Sequence, residues 1–174
     1  MRTWRLPLLV ATVIFGASAA SAAETQIERG KYLVTISGCG TCHTPGVLLG
    51  KPDMTRTLAG SEVGFGIPGV GVFVGGNLTP DKETGLGAWT SDQIVTAIRK
   101  GKRPDGSELS GVMPSASFSR LSDEDAAAIA AFLKSIPRVN NKVVGRYKSS
   151  ETVPISVSAV LPPEVYNALP ASQK

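Results

Sequence analysis

The chain of 174 residues contains one histidine and two cysteines, and this scarcity excludes several kinds of site. One histidine cannot supply the imidazoles of a metal site built from two or three histidines, and two cysteines cannot form the dense disulfide framework of a small secreted scaffold. Charged residues make up only 18% of the sequence, which argues against a coiled coil or an acidic tail protein. The apolar fraction of 42% excludes a wholly disordered chain.

Long apolar runs are also scarce, and the one that is present lies near the N-terminus. Residues 6–15 are apolar apart from one proline and one threonine, follow two arginines, and precede a stretch of small residues that ends at Ala23. A run of about ten residues is too short to cross a bilayer, which needs about 20. The pattern is typical of a secretory signal, so we predict that residues 1–23 are cleaved and that the protein is exported to the periplasm. An uncleaved anchor or a buried helix is the alternative.

The three scarce side chains lie together in the segment Cys39-Gly40-Thr41-Cys42-His43. This is the C-x-x-C-H pattern for covalent attachment of a c-type haem. Two thiols three positions apart on a helical turn can reach the two vinyl groups of one porphyrin, and the adjacent imidazole then points at the iron. We therefore predict thioether bonds from Cys39 and Cys42, with His43 as an iron ligand.

Two other interpretations of this segment are weaker. A redox-active C-x-x-C motif opens a helix after a strand, whereas the apolar spacing of residues 25–37 is helical. A structural zinc ion needs four ligands, and the segment offers three.

A second iron ligand has to be sought among the methionines, because the sequence has no other histidine. Met1 leaves with the predicted signal, and Met54 lies only eleven positions beyond His43. Met113 lies seventy positions beyond His43, between Gly111, which permits close approach to a porphyrin, and Pro114, which fixes the backbone. We predict Met113 as the second ligand, which gives the His/Met arrangement that raises a reduction potential. Core filling is the alternative role of this methionine.

With these residues the chain resembles a class I cytochrome c, in particular the single-haem modules of bacterial periplasmic dehydrogenases. The resemblance covers about residues 29–137, and its matching segments are Gly30-Lys31-Tyr32-Leu33, residues 39–45, Asn77-Leu78-Thr79-Pro80-Asp81, residues 84–89, Met113-Pro114 and residues 121–125. It implies an all-α fold over residues 24–137, with helices wrapped around one covalent haem. Members of the group carry one to three such modules, and this chain has one haem motif.

The residues themselves predict three helices within that fold. The first covers about residues 25–42, and the second opens at a capping box formed by Thr90 and Gln93. The last begins after the cap Ser122 and extends through Ser135. Residues 64–76 are predicted to cover the haem as a loop with a possible short hairpin. Residues 138–174 are expected to form an extended tail over the domain or onto a partner, with disorder as the alternative.

The resemblance also suggests roles for two residues outside the haem motif. The first and last helices of the family cross near the haem edge, which makes Gly30 against Phe132 and Leu133 the candidate contact. Trp89 is a candidate donor from its indole N–H to a haem propionate. A plain core position is the alternative for Trp89.

The expected function is the transfer of single electrons by a periplasmic carrier that is not itself an enzyme. A dehydrogenase would be the electron donor, and an oxidase or another cytochrome the acceptor.

The sequence has no basic run interleaved with aromatic residues, so nucleic acid is not an expected partner. The mature chain is not expected to contain a transmembrane segment. The basic cluster at residues 99–103 is either a solvated helix end or a patch for an acidic redox partner.

Three alternatives to a free carrier remain open at this point. The first is a permanent electron-transfer subunit of a dehydrogenase complex. The second is a haem enzyme or gas sensor whose sixth iron site is open. The third is a thiol–disulfide oxidoreductase, which would be colourless.

Overall fold

The computed structural model describes residues 17–171, with side chains from residue 25 onward. Most of the predicted signal over residues 1–23 therefore lies outside the described residues. The helices are α1 (Ala17–Ile36), α2 (Cys39–His43), α3 (Ser91–Lys100), α4 (Ser115–Phe118), α5 (Asp123–Ser135) and α6 (Pro163–Ala168). The strands are β1 (Val63–Ile67), β2 (Gly71–Val74), β3 (Arg146–Lys148) and β4 (Ser156–Ala159). Over residues 17–171, every helix lacks the length or the apolar run that a membrane span requires.

Helices α1 and α5 cross at Gly30, and the absence of a side chain there allows the close approach. A Cβ atom at this position would lie 2.0 Å from the carbonyl oxygen of Ala128 and 2.8 Å from the Cβ of Phe132. Beside the crossing, Arg29 Nε donates to Asp125 Oδ1 over 2.8 Å. The predicted contact of Gly30 with Phe132 is confirmed, and Ala128 rather than Leu133 makes the nearest approach.

The core lies where α3 packs on this helix pair, and its members are apolar residues at helical spacing. Leu33, Ile94, Ile129 and Leu133 are each at most 5% exposed. Local signals in the sequence place the helix ends, because Gln93 N donates to Thr90 Oγ1 while Thr90 N donates to the Gln93 amide oxygen. The predicted capping box is thus confirmed, as is the cap of α5 by Ser122.

The expectation of an all-α fold is wrong, because a mixed four-stranded sheet accompanies the helices. Strands β1 and β2 form an antiparallel hairpin, β3 pairs antiparallel with β2, and β4 pairs parallel with β1. The spatial order is β3-β2-β1-β4. The hairpin closes at Pro68-Gly69, where Gly69 has φ +75° and Val70 N donates to Ile67 O, as a type II turn requires.

The sheet forms because residues 63–74 combine β-branched and aromatic side chains with glycines, a composition that favours extended backbone next to a tight turn. The hairpin leaves two edges, and the tail pairs with both of them. An unpaired edge exposes backbone donors and acceptors, so the two tail strands satisfy groups that the hairpin alone leaves open. Within residues 138–171, strands β3 and β4 therefore lie against the hairpin.

The helices also differ from the sequence prediction in their bounds and number, and the first begins at Ala17 rather than at residue 25. The first helix ends at Ile36 rather than near residue 42, because Gly38 adopts a left-handed conformation with φ +66° and a new helix begins at Cys39. Helix α5 is not the last, since the short helix α6 follows in the tail.

Candidate haem-binding site

A cavity of about 400 Å³ opens between the helices and the sheet hairpin. Its volume falls within the range of about 300–1,000 Å³ that small-molecule and cofactor sites occupy. Most of its wall is apolar and comes from the hairpin of β1 and β2, from helices α2 to α5, and from the loops beside them. The wall includes the side chains of Cys39, Cys42, His43, Trp89, Arg103 and Met113.

Helix α2 presents both cysteines to this cavity. It is a single short turn, and residues three positions apart on a helix lie on the same face. Each thiol is partly buried, and burial raises the pKa of both above its ordinary value. The next residue after the motif, Thr44, is 3% exposed, and its hydroxyl oxygen accepts a hydrogen bond from Leu58 N over 3.0 Å. The motif is therefore fixed to the loop that leads into β1.

The His43 ring is oriented by a backbone carbonyl. Its Nδ1 atom lies 2.7 Å from the oxygen of Gly76, and a carbonyl can only accept, so Nδ1 carries the proton. The Nε2 atom then holds the lone pair that a metal needs. Burial lowers the pKa of His43, and the hydrogen bond to Gly76 acts in the opposite direction as the smaller influence. The neutral imidazole is the form that coordinates iron.

Gly75 supports the same arrangement, although sequence reasoning assigns it no role in the site. A Cβ atom at Gly75 would lie 1.8 Å from the carbonyl oxygen of Cys42 and 3.3 Å from His43 Nδ1. On the other side, Gly60 N donates to the carbonyl oxygen of His43 over 2.8 Å. The motif is thus held between two glycine-containing segments. The signal in the sequence is the Gly75-Gly76 pair that ends the glycine-rich segment.

The two internal methionines occupy different environments. Met113 lines the cavity and is half-buried, whereas Met54 is 67% exposed and is not part of the cavity wall. Backbone hydrogen bonds fix the Met113 loop, since Met113 N donates to Ser110 O and Ser115 N donates to Met113 O. A Cβ at Gly111 would meet no protein atom within 4 Å, so protein contacts do not require glycine there.

Trp89 lies on the cavity wall and also packs against the helical core. Its backbone is held by Lys134, whose Nζ donates to the Trp89 carbonyl oxygen over 2.7 Å. This position is compatible with a plain core role for Trp89 and with donation from its indole N–H to a haem propionate. The propionate contact therefore stays a prediction.

The basic cluster at residues 99–103 is not one continuous solvated face. Arg99 forms an ion pair with Asp123 at the start of α5, and Arg103 turns toward the cavity. Lys100 and Lys102 remain exposed. Sequence reasoning considers these residues only as a group and gives Arg103 no separate role.

The Asn77-Leu78-Thr79-Pro80-Asp81 segment forms a buried hydrogen-bond network beside the cavity. The Asn77 side-chain oxygen accepts from Thr79 N and from Thr79 Oγ1, at 2.9 and 2.8 Å. Its Nδ2 donates to the carbonyl oxygen of Val139 over 2.8 Å, which attaches the tail. The sequence identifies this segment as a family feature, and the structure shows its physical role.

The wall of this mostly apolar cavity holds two thiols, an oriented imidazole and a thioether. These groups are the donor set of a c-type haem, and the cavity fits that group. Comparison with known proteins agrees. Residues 25–133 match the family described as cytochrome c oxidase, cbb3-type, subunit III. The chain belongs to this family of cytochromes c, which confirms the resemblance stated from the sequence.

Curated relatives are similar over the same region. The cytochrome c subunit of the quinone alcohol dehydrogenase of Gluconobacter oxydans is 39% identical, over 74% of this chain and 26% of the relative. The fructose dehydrogenase cytochrome subunit of Gluconobacter japonicus is 36% identical, over 66% and 22%. A dihaem c-type cytochrome of Cereibacter sphaeroides is 40% identical, over 64% and 36%. The chain thus spans about a quarter of the length of the two dehydrogenase subunits.

Proposed function

We propose that this cytochrome carries single electrons in the periplasm through one haem, bound covalently by Cys39 and Cys42 and ligated by His43 and Met113. The observation that carries the proposal is the His43–Gly76 hydrogen bond, because it leaves Nε2 of the imidazole as a ligand beside the two thiols. The count of one haem rests on the single C-x-x-C-H motif in the sequence. The proposed location rests on the signal predicted over residues 1–23.

The haem, when bound, supplies a reversible Fe(III)/Fe(II) couple. The chain's own residues determine how that couple behaves. His43 is held in one tautomer and one orientation, so its imidazole needs little rearrangement when the iron changes charge. The apolar wall excludes water, and the thioether of Met113 favours the reduced form, so both raise the reduction potential.

No catalytic residue is part of this proposal, since the chemistry belongs to the cofactor. We expect a dehydrogenase as electron donor and an oxidase or another cytochrome as acceptor. Support comes from two of the relatives, which are named as cytochrome subunits of dehydrogenases.

The same names favour a second candidate, a permanent subunit of a dehydrogenase complex. The two candidates differ in what purifies with the chain from its own host. A free carrier separates from the dehydrogenase during purification. A permanent subunit elutes with the dehydrogenase in a fixed stoichiometric ratio after size-exclusion chromatography at high salt.

The optical spectrum of the holoprotein tests the iron ligands. The oxidised wild-type protein should show the weak absorption band of a sulfur–iron bond, and Met113→Ala should abolish it. Met54→Ala is the matched control and should retain the band, because Met54 lies outside the cavity wall. A wild-type spectrum without the band, or one unchanged in Met113→Ala, would favour a haem enzyme or sensor with an open sixth site. A colourless protein would favour a thiol–disulfide oxidoreductase.

A further inference from the structure

The cavity wall carries one permanent positive charge. Among the residues that the structure describes, Arg103 is the single lysine or arginine that lines the cavity. A guanidinium group on a mostly apolar wall is costly unless an anion accompanies it.

Arg103 is held in place by a small loop built around it. Its backbone N donates to Ser107 O over 2.8 Å, and neighbouring Lys102 pairs with Glu108 in an antiparallel bridge. In extended backbone, successive side chains point to opposite sides, so Lys102 is exposed while Arg103 is half-buried. The Nη1 atom of Arg103 donates to the Glu108 carbonyl oxygen over 2.7 Å and to Ser107 Oγ over 3.2 Å.

These bonds leave part of the guanidinium for another acceptor. Both contacts use Nη1, and a guanidinium has five N–H donors in a fixed fork. Among the described arginines, Arg29, Arg56 and Arg99 form ion pairs with carboxylates. Arg103 takes part in none of these ion pairs. Nearby Asp105 bonds to Ser107 rather than to the guanidinium, since its carboxylate accepts the N–H and O–H of Ser107 at 2.9 and 2.7 Å. These bonds lower the pKa of Asp105 most and the charge of Arg103 helps to lower it, so this carboxylate offsets part of the positive charge without a direct contact.

We propose that Arg103 binds a propionate carboxylate of the haem. This inference rests on the proposed function, since it assumes a haem in the cavity. The propionates are the only anionic groups of a haem, and a buried carboxylate needs a charged or hydrogen-bonding partner. A planar guanidinium braced at one nitrogen suits bidentate binding of a carboxylate by the others.

The proposal predicts a direction for the reduction potential. The oxidised iron centre carries one more positive charge than the reduced centre. Loss of the guanidinium removes a positive charge near the iron and leaves a propionate uncompensated, and both changes favour the ferric form. Arg103→Gln should therefore lower the midpoint potential.

The test compares the wild-type holoprotein with Arg103→Gln, Arg103→Lys and the control Lys102→Gln by optical redox titration. Arg103→Gln should raise the ferric-to-ferrous ratio at fixed potential by about three- to tenfold, where tenfold corresponds to about 59 mV for one electron. Arg103→Lys should recover part of this change. Lys102→Gln removes the same charge one residue away but from the exposed side, so it should change the ratio by less than about twofold because solvent screens it.

A second measurement keeps the proposal testable if Arg103→Gln yields no holoprotein, and the Arg103→Lys variant assigns its bands to this residue. In oxidised-minus-reduced infrared spectra of protein labelled with nitrogen-15 arginine, guanidinium bands should shift on reduction if Arg103 binds a propionate. Equal potentials for Arg103→Gln and Lys102→Gln, or the absence of label-sensitive bands, would overturn the Arg103 assignment while leaving the proposed function intact. A wild-type protein without haem would defeat the proposed function instead.

Discussion

The Nδ1 atom of His43 lies 2.7 Å from the carbonyl oxygen of Gly76, and this hydrogen bond joins the end of the cysteine motif to the chain leaving the sheet hairpin. The contact requires the backbone at residues 75–76 to pass directly against α2. A side chain at Gly75 would prevent it, because its Cβ would lie 1.8 Å from Cys42 O. The glycine segment after β2 therefore determines the orientation of the imidazole.

Gly75→Ala should consequently destabilise the holoprotein and lower its yield. An overpacked site typically costs about 1–3 kcal/mol, and here the atom that must move is backbone next to a predicted iron ligand. The free energy of unfolding from urea titrations, followed at the haem absorption, measures the loss. Gly111→Ala is the matched control, since Gly111 is exposed, lies outside the cavity wall, and a Cβ there would meet no protein atom within 4 Å. Equal stability of the two variants would contradict the close packing described for this segment.

Gly30→Ala should destabilise the protein even though alanine is the better helix former. Propensity alone would stabilise α1 by about 0.8–1 kcal/mol, whereas the clash with the Ala128 carbonyl forces α1 and α5 apart. We expect a net loss of about 1–3 kcal/mol by urea unfolding. Glu28→Ala, at an exposed position of the same helix, should stay within about 0.5 kcal/mol of the wild type. A more stable Gly30→Ala variant would show that the helices do not cross at this residue.

Asn77→Ala should loosen the C-terminal tail. The substitution removes the donor to Val139 O and leaves the buried Thr79 N without its acceptor, which typically costs about 1–3 kcal/mol. Limited proteolysis should cut within residues 138–171 faster in this variant than in the wild type. Asn140→Ala is the control, because Asn140 is exposed and lies beside the same contact. Cleavage at equal rates in both variants would mean that the tail is held elsewhere.

Local signals made some of this structure predictable from sequence, and long-range pairing limited the rest. Thr90 with Gln93 and Ser122 with Asp125 act over three residues, so the starts of α3 and α5 follow from the sequence. The cysteine motif is equally local. Strand β4, by contrast, pairs with β1 from more than 90 positions away, and the register of two short strands leaves little mark on either segment.

Two features of the site illustrate the same limit. Arg103 stands in a run of basic residues, where spacing alone does not distinguish a side chain facing the cavity from its exposed neighbour Lys102. The bridge between Lys102 and Glu108 shows that the backbone is extended here, so that the side chains of Lys102 and Arg103 point to opposite sides. Likewise, the choice between Met54 and Met113 depends on which loop closes the cavity, and that is set by the packing of α3 and α5 rather than by local sequence.

Covalent attachment of the haem is the central claim, and the intact mass of the exported protein tests it most directly. The protein should be expressed in a host that matures c-type cytochromes, alongside a Cys39→Ser, Cys42→Ser double variant. We predict that the denatured wild-type protein exceeds its polypeptide mass by one haem and that the double variant does not. A wild-type mass equal to that of the polypeptide alone would contradict the account.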